Sequence, residues 1–138
     1  MVCVDASFIM RLLTSQNSDS PYDQRWNQWQ ASNTTPVAPT LIMYEVSNGL
    51  YRYSRAGQIT PEEAEQLLER ALNLGIRFYG DADLHRQALK IAQRHNLPAT
   101  YDAHYLALAE REGIELWTAD QRLFNAVHSS LPWVNLVI

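Results

Sequence analysis

Short apolar runs alternate with longer amphipathic segments along the whole chain. The segments between the runs have apolar residues every three or four positions, which is the period of a helix with one buried face. Strands that alternate with helices at this spacing are typical of an α/β fold with a mainly parallel sheet. The sequence thus predicts a single domain over 1–138, with a central sheet of about five short strands flanked by helices. The expected strands lie at 1–4, 36–39, 76–79, 114–117 and 133–138.

Start and stop signals divide the amphipathic segments into separate helices. Serine, threonine or aspartate begins a helix well, particularly before proline or an acid, and glycine often ends one. Polar residues at 14–19 predict a loop after the first helix. Thr40 is expected to cap a helix, and Thr60 with Glu63 forms a capping box. The predicted helices lie at about 6–13, 20–32, 40–56, 60–75, 81–96 and 102–113, with one more after Asp120.

One aromatic stripe marks the second predicted helix. Tyr22, Trp26 and Trp29 follow one another at four and three positions, so they share one face of that helix. Such a stripe usually packs against the chain's own core, but it also suits an interface with another chain. The sequence leaves these two interpretations open.

The helix predicted at 40–56 has an apolar arc opposite a polar one. Four polar residues share the polar side: Glu45, Asn48, Arg52 and Arg55. A solvated helix surface explains this arrangement on its own. A glutamate followed by two arginines on the same side of a helix also suits a site that binds a cation and a phosphate.

Three aspartates occupy similar places near the ends of the predicted strands. Asp5 follows the first strand, Asp102 opens a helix, and Asp120 lies on the turn from a strand to the last helix. Each also has a purely structural explanation. Asp5 can cap the helix that follows it, and Asp102 lies in the first turn of its helix. Thr118 and Gln121 are expected to form a capping box at the start of the last helix, where the negative charge of Asp120 interacts favourably with the helix dipole. A parallel sheet, however, brings the carboxyl ends of its strands to one edge, where ligands bind.

Convergent carboxylates repel one another, and burial raises their pKa values unless a cation neutralises them. Hard divalent cations with oxygen ligands are the natural partners of such a set. Three aspartates at one edge, with Glu45 on a nearby polar helix face, therefore indicate a cation site.

Composition limits the classes of protein that fit. The chain has 138 residues, 46% of them hydrophobic and 19% charged, and a net charge of −4, which argues against a protein that coats nucleic acid by charge alone. No apolar run is long enough to span a bilayer, so no membrane association is expected. The single cysteine and the lack of an export signal favour a reducing cytoplasm.

Four segments together resemble the acidic motifs of PIN domains. They are VCVDAS at 2–7, YEVSNGL at 44–50, YDAHYLALA at 101–109 and LWTADQRL at 116–123. Their order, their spacing and the chain length are similar to those of VapC-like toxins of toxin-antitoxin modules. The resemblance covers essentially the whole chain, and its specificity comes from four motifs in order, since each one alone is weak.

The resemblance implies an endoribonuclease that depends on Mg²⁺ or Mn²⁺, forms a homodimer and is inhibited by a cognate antitoxin. Asp5, Glu45, Asp102 and Asp120 match the acidic quartet, with Asp5 as the central metal ligand. Thr118 matches the small hydroxyl residue before the last acid, and Asn48 matches a polar position one turn after the glutamate. On this view, Arg52 and Arg55 are candidates for contacting RNA phosphate.

Two other classes of protein share part of this pattern. A phospho-acceptor receiver domain needs paired acids after its first strand and a lysine near the site, whereas the only lysine, Lys90, lies in the middle of a predicted helix. A non-catalytic PIN-fold module that binds a partner through the Trp26 surface remains the alternative. His104 is expected to point away from Asp102 and to lie on the surface or contact a partner.

Overall fold

The computed structural model describes residues 1–15 and 19–137. Within this part of the chain, none of the helices is long and apolar enough to cross a membrane. The strands are β1 (Val2–Val4), β2 (Pro36–Pro39), β3 (Arg77–Tyr79), β4 (Leu116–Thr118) and β5 (Val134–Leu136). The helices are α1 (Ala6–Thr14), α2 (Pro21–Ala31), α3 (Leu41–Arg55), α4 (Pro61–Leu72), α5 (Ala82–His95), α6 (Tyr101–Glu112) and α7 (Gln121–Val127).

The five strands of the described chain form one parallel sheet in the order β3-β2-β1-β4-β5. The chain first builds the sheet outward from β1 to β3 and then returns to place β4 on the other side of β1. The order of strands thus reverses between β1 and β4, and ligands bind at such a switch point in open α/β sheets. The predicted fold class, an α/β domain with a parallel sheet and flanking helices, is confirmed.

Burial explains why the central strands and α6 are so apolar. All three residues of β1 are buried, because neighbouring strands cover its edges and helices cover both of its faces. In α6, all residues from Tyr105 to Ala109 are buried, so this helix is covered on most sides rather than along one stripe. Cys3 of β1 contacts α6 directly, because its Sγ donates to the backbone carbonyl of Tyr105 at 3.7 Å.

The aromatic stripe of α2 packs on α1 and the sheet. The ring of Phe8 lies 5.4 Å from that of Tyr22 and 6.4 Å from that of Trp26, and Trp29 contacts Trp117 of β4 at 6.2 Å between centroids. Trp26 is only 7% exposed, whereas Tyr22 and Trp29 are half-buried. The structure thus supports the core interpretation of this stripe.

Two local predictions need correction. Thr40 makes no side-chain cap, because its backbone angles are helical and not the extended ones that a capping residue has; its N–H donates to the carbonyl of Tyr79 at the end of β3. The strand expected at 114–117 is Leu116–Thr118, because the N–H of Ile114 donates to Ala109 and closes α6. Gly113 does end α6 as predicted, with a positive φ of 66°.

The other predicted elements agree with the structure to within a few residues. Side-chain caps are present at Ser20, Thr60 and Asp81, where the expected helices begin. Positions 16–18 of the expected loop and position 138 of the expected last strand lie outside the described residues.

Replacement of Trp26 by alanine should destabilise the isolated chain by about 3 to 5 kcal/mol, because removal of this large buried ring would leave a cavity against Phe8 and Trp29. Urea unfolding followed by circular dichroism measures this loss. Tyr44→Ala is the control, since Tyr44 is 75% exposed and its loss should change stability by less than about 0.5 kcal/mol. Equal stability of the two variants would contradict the core assignment.

Candidate active site

The acids predicted near the strand ends lie at the carboxyl edge of the sheet. Asp5 directly follows β1, and Asp120 lies two residues after β4, the neighbouring strand. Each also caps the helix that follows: Asp5 accepts from the N–H of Phe8, and Asp120 accepts from the N–H groups of Arg122 and Leu123. Both aspartates therefore have a fixed position that local helix capping determines.

The Asp5 carboxylate is 3% exposed and is held on both oxygens. Ser7 donates its hydroxyl proton to Oδ1 at 2.7 Å, the N–H of Phe8 donates to the same oxygen at 2.9 Å, and Thr118 donates to Oδ2. The hydroxyl of Ser7 also lies 3.1 Å from that of Thr118 and accepts from the N–H of Ala119. This network fixes the ends of β1 and β4 to each other.

The capping box expected between Thr118 and Gln121 is wrong. The side chain of Asp120, not that of Thr118, caps α7. Thr118 is fully buried, and its Oγ1 accepts from the backbone N–H of Asp120 at 3.0 Å and donates to the carboxylate of Asp5. The threonine links Asp5 to Asp120 and does not serve the helix.

Glu45 and Asp102 reach the same edge from two helices. Glu45 lies on α3 and accepts a hydrogen bond of 2.6 Å from the phenol of Tyr105. Tyr105 is three residues after Asp102 on α6, so the two side chains lie on one face of that helix. Burial, followed by the charge of Glu45, raises the pKa of Tyr105, so this phenol stays protonated and donates to Glu45.

Glu45, Asp102 and Asp120 line one open cleft of about 340 Å³, which we call the acidic cleft. Arg122 and Tyr101 complete its rim, and Leu97, Pro98 and Leu123 contribute apolar walls. Arg122 is exposed, and its guanidinium has no ion pair within the part of the chain that the structure describes. Among its described lining residues, the cleft thus has three carboxylates and, at the rim, one arginine without an ion pair.

The environments of Asp5 and Asp102 disfavour the negative charge of their carboxylates. Burial raises the pKa of Asp5 to about 6, although hydrogen bonds from Ser7 and Thr118 oppose this rise. Burial also raises the pKa of Asp102 to about 6, and the charges of Asp120 and Glu45 raise it further. A group that brings positive charge into the cleft would relieve both effects.

The donors of the acidic cleft are chemically suited to a hard divalent cation. They are carboxylate oxygens, which Mg²⁺ and Mn²⁺ prefer over nitrogen or sulfur. Within residues 1–15 and 19–137, however, no three His, Cys, Asp or Glu side chains lie close enough together to enclose a metal ion. The donor chemistry therefore fits such a cation, without a compact cage of protein ligands.

The remaining predicted contacts do not line the acidic cleft. Asn48, Arg52 and Arg55 are exposed on α3, and the guanidinium of Arg55 lies 6.0 Å from the ring of Tyr51 on its own helix. The structure thus places these three side chains on the outer surface beyond Glu45.

Four polar residues of the site are not singled out from the sequence: Ser7, Tyr101, Tyr105 and Arg122. A weak signal existed for two of them. Tyr105 is one helical turn from Asp102. Arg122 puts a positive charge in the first turn of a helix, where the helix dipole disfavours positive charge. Ser7 lies two residues after Asp5, to which its hydroxyl donates, but its contacts with Thr118 and Ala119 are remote in sequence and give no local signal.

His104 makes specific contacts that the sequence did not predict. Its Nε2 lies 2.9 Å from Nδ1 of His85 on α5, and its Nδ1 lies 2.7 Å from the carbonyl oxygen of Thr100. His104 does not line the acidic cleft, as expected from its position on α6.

Comparisons with known proteins agree with this geometry. Residues 2–128 match the PIN domain family, a range that includes all four predicted acids. The chain is 31% identical over 122 residues to Ribonuclease VapC3 of Pyrobaculum aerophilum, which covers 87% of this chain and 89% of that protein. It is 30% identical to Ribonuclease VapC9 of Mycobacterium tuberculosis, over 96% of this chain and 95% of the relative.

Solved structures share the fold at lower identity. PAE2754 from Pyrobaculum aerophilum superposes with a TM-score of 0.73 at 23% identity, over 99% of this chain and 88% of that one. Because the family match spans most of the chain and the relatives match it nearly end to end, this chain belongs to the PIN domain family and is a VapC-like member of it.

Proposed function

We propose that this protein is a metal-dependent endoribonuclease and the toxin of a toxin-antitoxin pair. It would hydrolyse RNA phosphodiester bonds with Mg²⁺ or Mn²⁺ held by Asp5, Glu45, Asp102 and Asp120. The observation that carries this proposal is the acidic cleft itself, where three carboxylates from three elements face one opening, beside the buried Asp5. The relatives named as VapC ribonucleases support the same activity.

The residues of the chain would fix the positions of the metal ligands before metal arrives. Ser7 and Thr118 hold the Asp5 carboxylate, the N–H groups of α7 hold Asp120, and Tyr105 holds Glu45 through a short hydrogen bond. Such preorganisation reduces the rearrangement that binding requires. When bound, the metal would supply an activated water and would compensate the charge on the phosphate.

The cation would keep part of its water, so some of the four acids would reach it through water molecules. Mg²⁺ usually binds one or two protein carboxylates together with waters and substrate phosphates, rather than a dedicated cage. The lack of three tightly grouped ligands in the described residues agrees with that mode of binding. Arg122 at the rim would then meet an RNA phosphate on the open side of the cleft.

The proposed partners are an RNA substrate, a cognate antitoxin and a second copy of this chain in a homodimer. A solved toxin-antitoxin complex from Klebsiella pneumoniae has the same fold, with a TM-score of 0.65 at 19% identity over 98% of this chain and 96% of that one. Asn48, Arg52 and Arg55, exposed along α3, are proposed to contact RNA phosphates outside the cleft.

Asp5→Asn and Asp102→Asn should each abolish metal-dependent cleavage of RNA while the fold is kept. Loss of a metal ligand removes several kcal/mol of transition-state stabilisation. An amide at position 5 can still accept from Ser7 and from the N–H of Phe8, so the capping contacts survive. Cleavage of a structured RNA panel with and without magnesium, together with circular dichroism, measures both effects.

Glu110→Gln is the matched control, because Glu110 is an exposed acid on α6 outside the acidic cleft. Its activity should equal that of the wild type. Retained magnesium-dependent cleavage in both aspartate variants would refute the site. A wild-type chain that binds its partner but cleaves no RNA would instead favour the non-catalytic binding module.

Magnesium or manganese at millimolar concentration should raise the melting temperature of the free chain by about 3 °C or more, because only the folded state presents the site. Asp120→Asn should reduce this rise. Asparagine caps a helix about as well as aspartate, so the variant should begin from a similar melting temperature. Glu62→Gln on α4 provides the control. A wild-type melting temperature that does not respond to either metal would count against a preorganised site.

A further inference from the structure

A second cavity lies at the same edge of the sheet as the acidic cleft. It measures about 200 Å³ and is lined by the residues that end β2 and β3 and by the first turn of α6. We call it the edge pocket. The lining residues that matter below are Leu41, Tyr79, Leu84, His85, Tyr101 and His104.

Tyr101 joins the edge pocket to the acidic cleft. It lines both cavities, and 61% of it is exposed, although it immediately precedes Asp102 in the chain. An occupant of the edge pocket would therefore lie beside any phosphate held in the acidic cleft. The exposed ring offers a flat apolar surface at the boundary between the two.

Among the residues that the structure describes, no Asp, Glu, Lys or Arg lines the edge pocket, so its walls carry no formal charge from these side chains. Its walls are aliphatic at Leu41 and Leu84 and aromatic at Tyr79 and Tyr101. A phosphate would find no cation there and would be repelled by the neighbouring carboxylates. The chemistry of the walls fits a neutral, flat group.

The volume of the edge pocket restricts the choice further. Sites for drug-sized ligands usually measure about 300 to 1,000 Å³, and a helix with its side chains is about 10 Å wide. At about 200 Å³ the pocket suits a single planar ring system and not a peptide helix. A nucleobase is such a group.

The two histidines fix a hydrogen-bonding direction at the pocket. His104 Nδ1 carries a proton, because it faces the carbonyl oxygen of Thr100, which can only accept. In the tautomer that this contact selects, His104 Nε2 accepts from His85 Nδ1, so Nε2 of His85 is the acceptor left over. That nitrogen has no partner in the described part of the chain.

We propose that the edge pocket binds one unpaired base of the RNA, adjacent to the phosphodiester in the acidic cleft. Tyr101 stacks on the base, and His85 Nε2 accepts from an exocyclic amino group, which adenine, cytosine and guanine have and uracil lacks. This inference rests on the proposed function, because it assigns the base next to the cleaved bond.

Binding to short single-stranded oligoribonucleotides tests the stacking. In an Asp5→Asn background, which prevents cleavage, Tyr101→Ala should weaken binding by about ten-fold, the range of base–aromatic stacking, whereas Tyr101→Phe should bind normally. Removal of the base at one position beside the cleavage site should weaken binding by the same factor, and the two changes together should weaken it no further.

Phe78→Ala is the control. Phe78 is an aromatic residue of β3 that is 42% exposed, and it lines neither the edge pocket nor the acidic cleft. Fluorescence anisotropy measures affinity, and sedimentation measures the mass of each variant. The proposal would fail if the Tyr101→Ala variant self-associates less than the wild type while its RNA affinity still depends on the base to the same extent. That result would show that a second copy of the chain covers the pocket.

Base preference tests the histidine. With A, C, G or U at the sensitive position, uracil should bind about five-fold more weakly than the others, the effect of one neutral hydrogen bond, and His85→Phe should remove that difference. Equal binding of all four bases by the wild type would overturn the assignment of His85. A wild type that cleaves RNA yet shows no effect of Tyr101→Ala would refute the pocket alone. A wild type that cleaves no RNA would refute the proposed function.

Discussion

The rest of the site depends on one buried carboxylate at the end of the central strand. Asp5 is surrounded by apolar core, and an ion in that place is stable only if every oxygen has donors. Its donors come from α1 and from the end of β4, so the same bonds that keep the charge in place also fix the order of these elements at the edge. The position of Asp120 follows from this arrangement, because its N–H donates to Thr118, which in turn donates to Asp5.

Most of the helices, their caps and the places of the aspartates could be predicted, because these features depend on residues close together in the sequence. The period of apolar residues, the caps at Ser20 and Thr60 and the glycine that ends α6 act within a few residues, so the sequence shows them directly. The three aspartates could also be placed, since each follows a strand or opens a helix. Strand boundaries were less certain, because Ile114 serves the end of a helix rather than the start of a strand.

What could not be predicted involves partners that are remote in the chain. Thr118 has the spacing of a capping residue, and only the folded neighbourhood shows that it donates to Asp5 instead. The same holds for the bond from Tyr105 to Glu45 and for the contact between His85 and His104. The stripe of α2 was ambiguous for a related reason: aromatic spacing shows that a surface is covered, but Phe8 is needed to show by what.

Cys3 gives the protein an internal chemical reporter. It is the only cysteine, it lies fully buried in the central strand, and burial together with the charge of Asp5 raises the pKa of its thiol. A thiol in this state resists alkylation, because the reactive thiolate is scarce and reagents cannot reach it. The rate at which the native chain is alkylated therefore measures how often β1 separates from its neighbours. The strand that positions the proposed catalytic acid can thus be followed in the unaltered protein, without any introduced label.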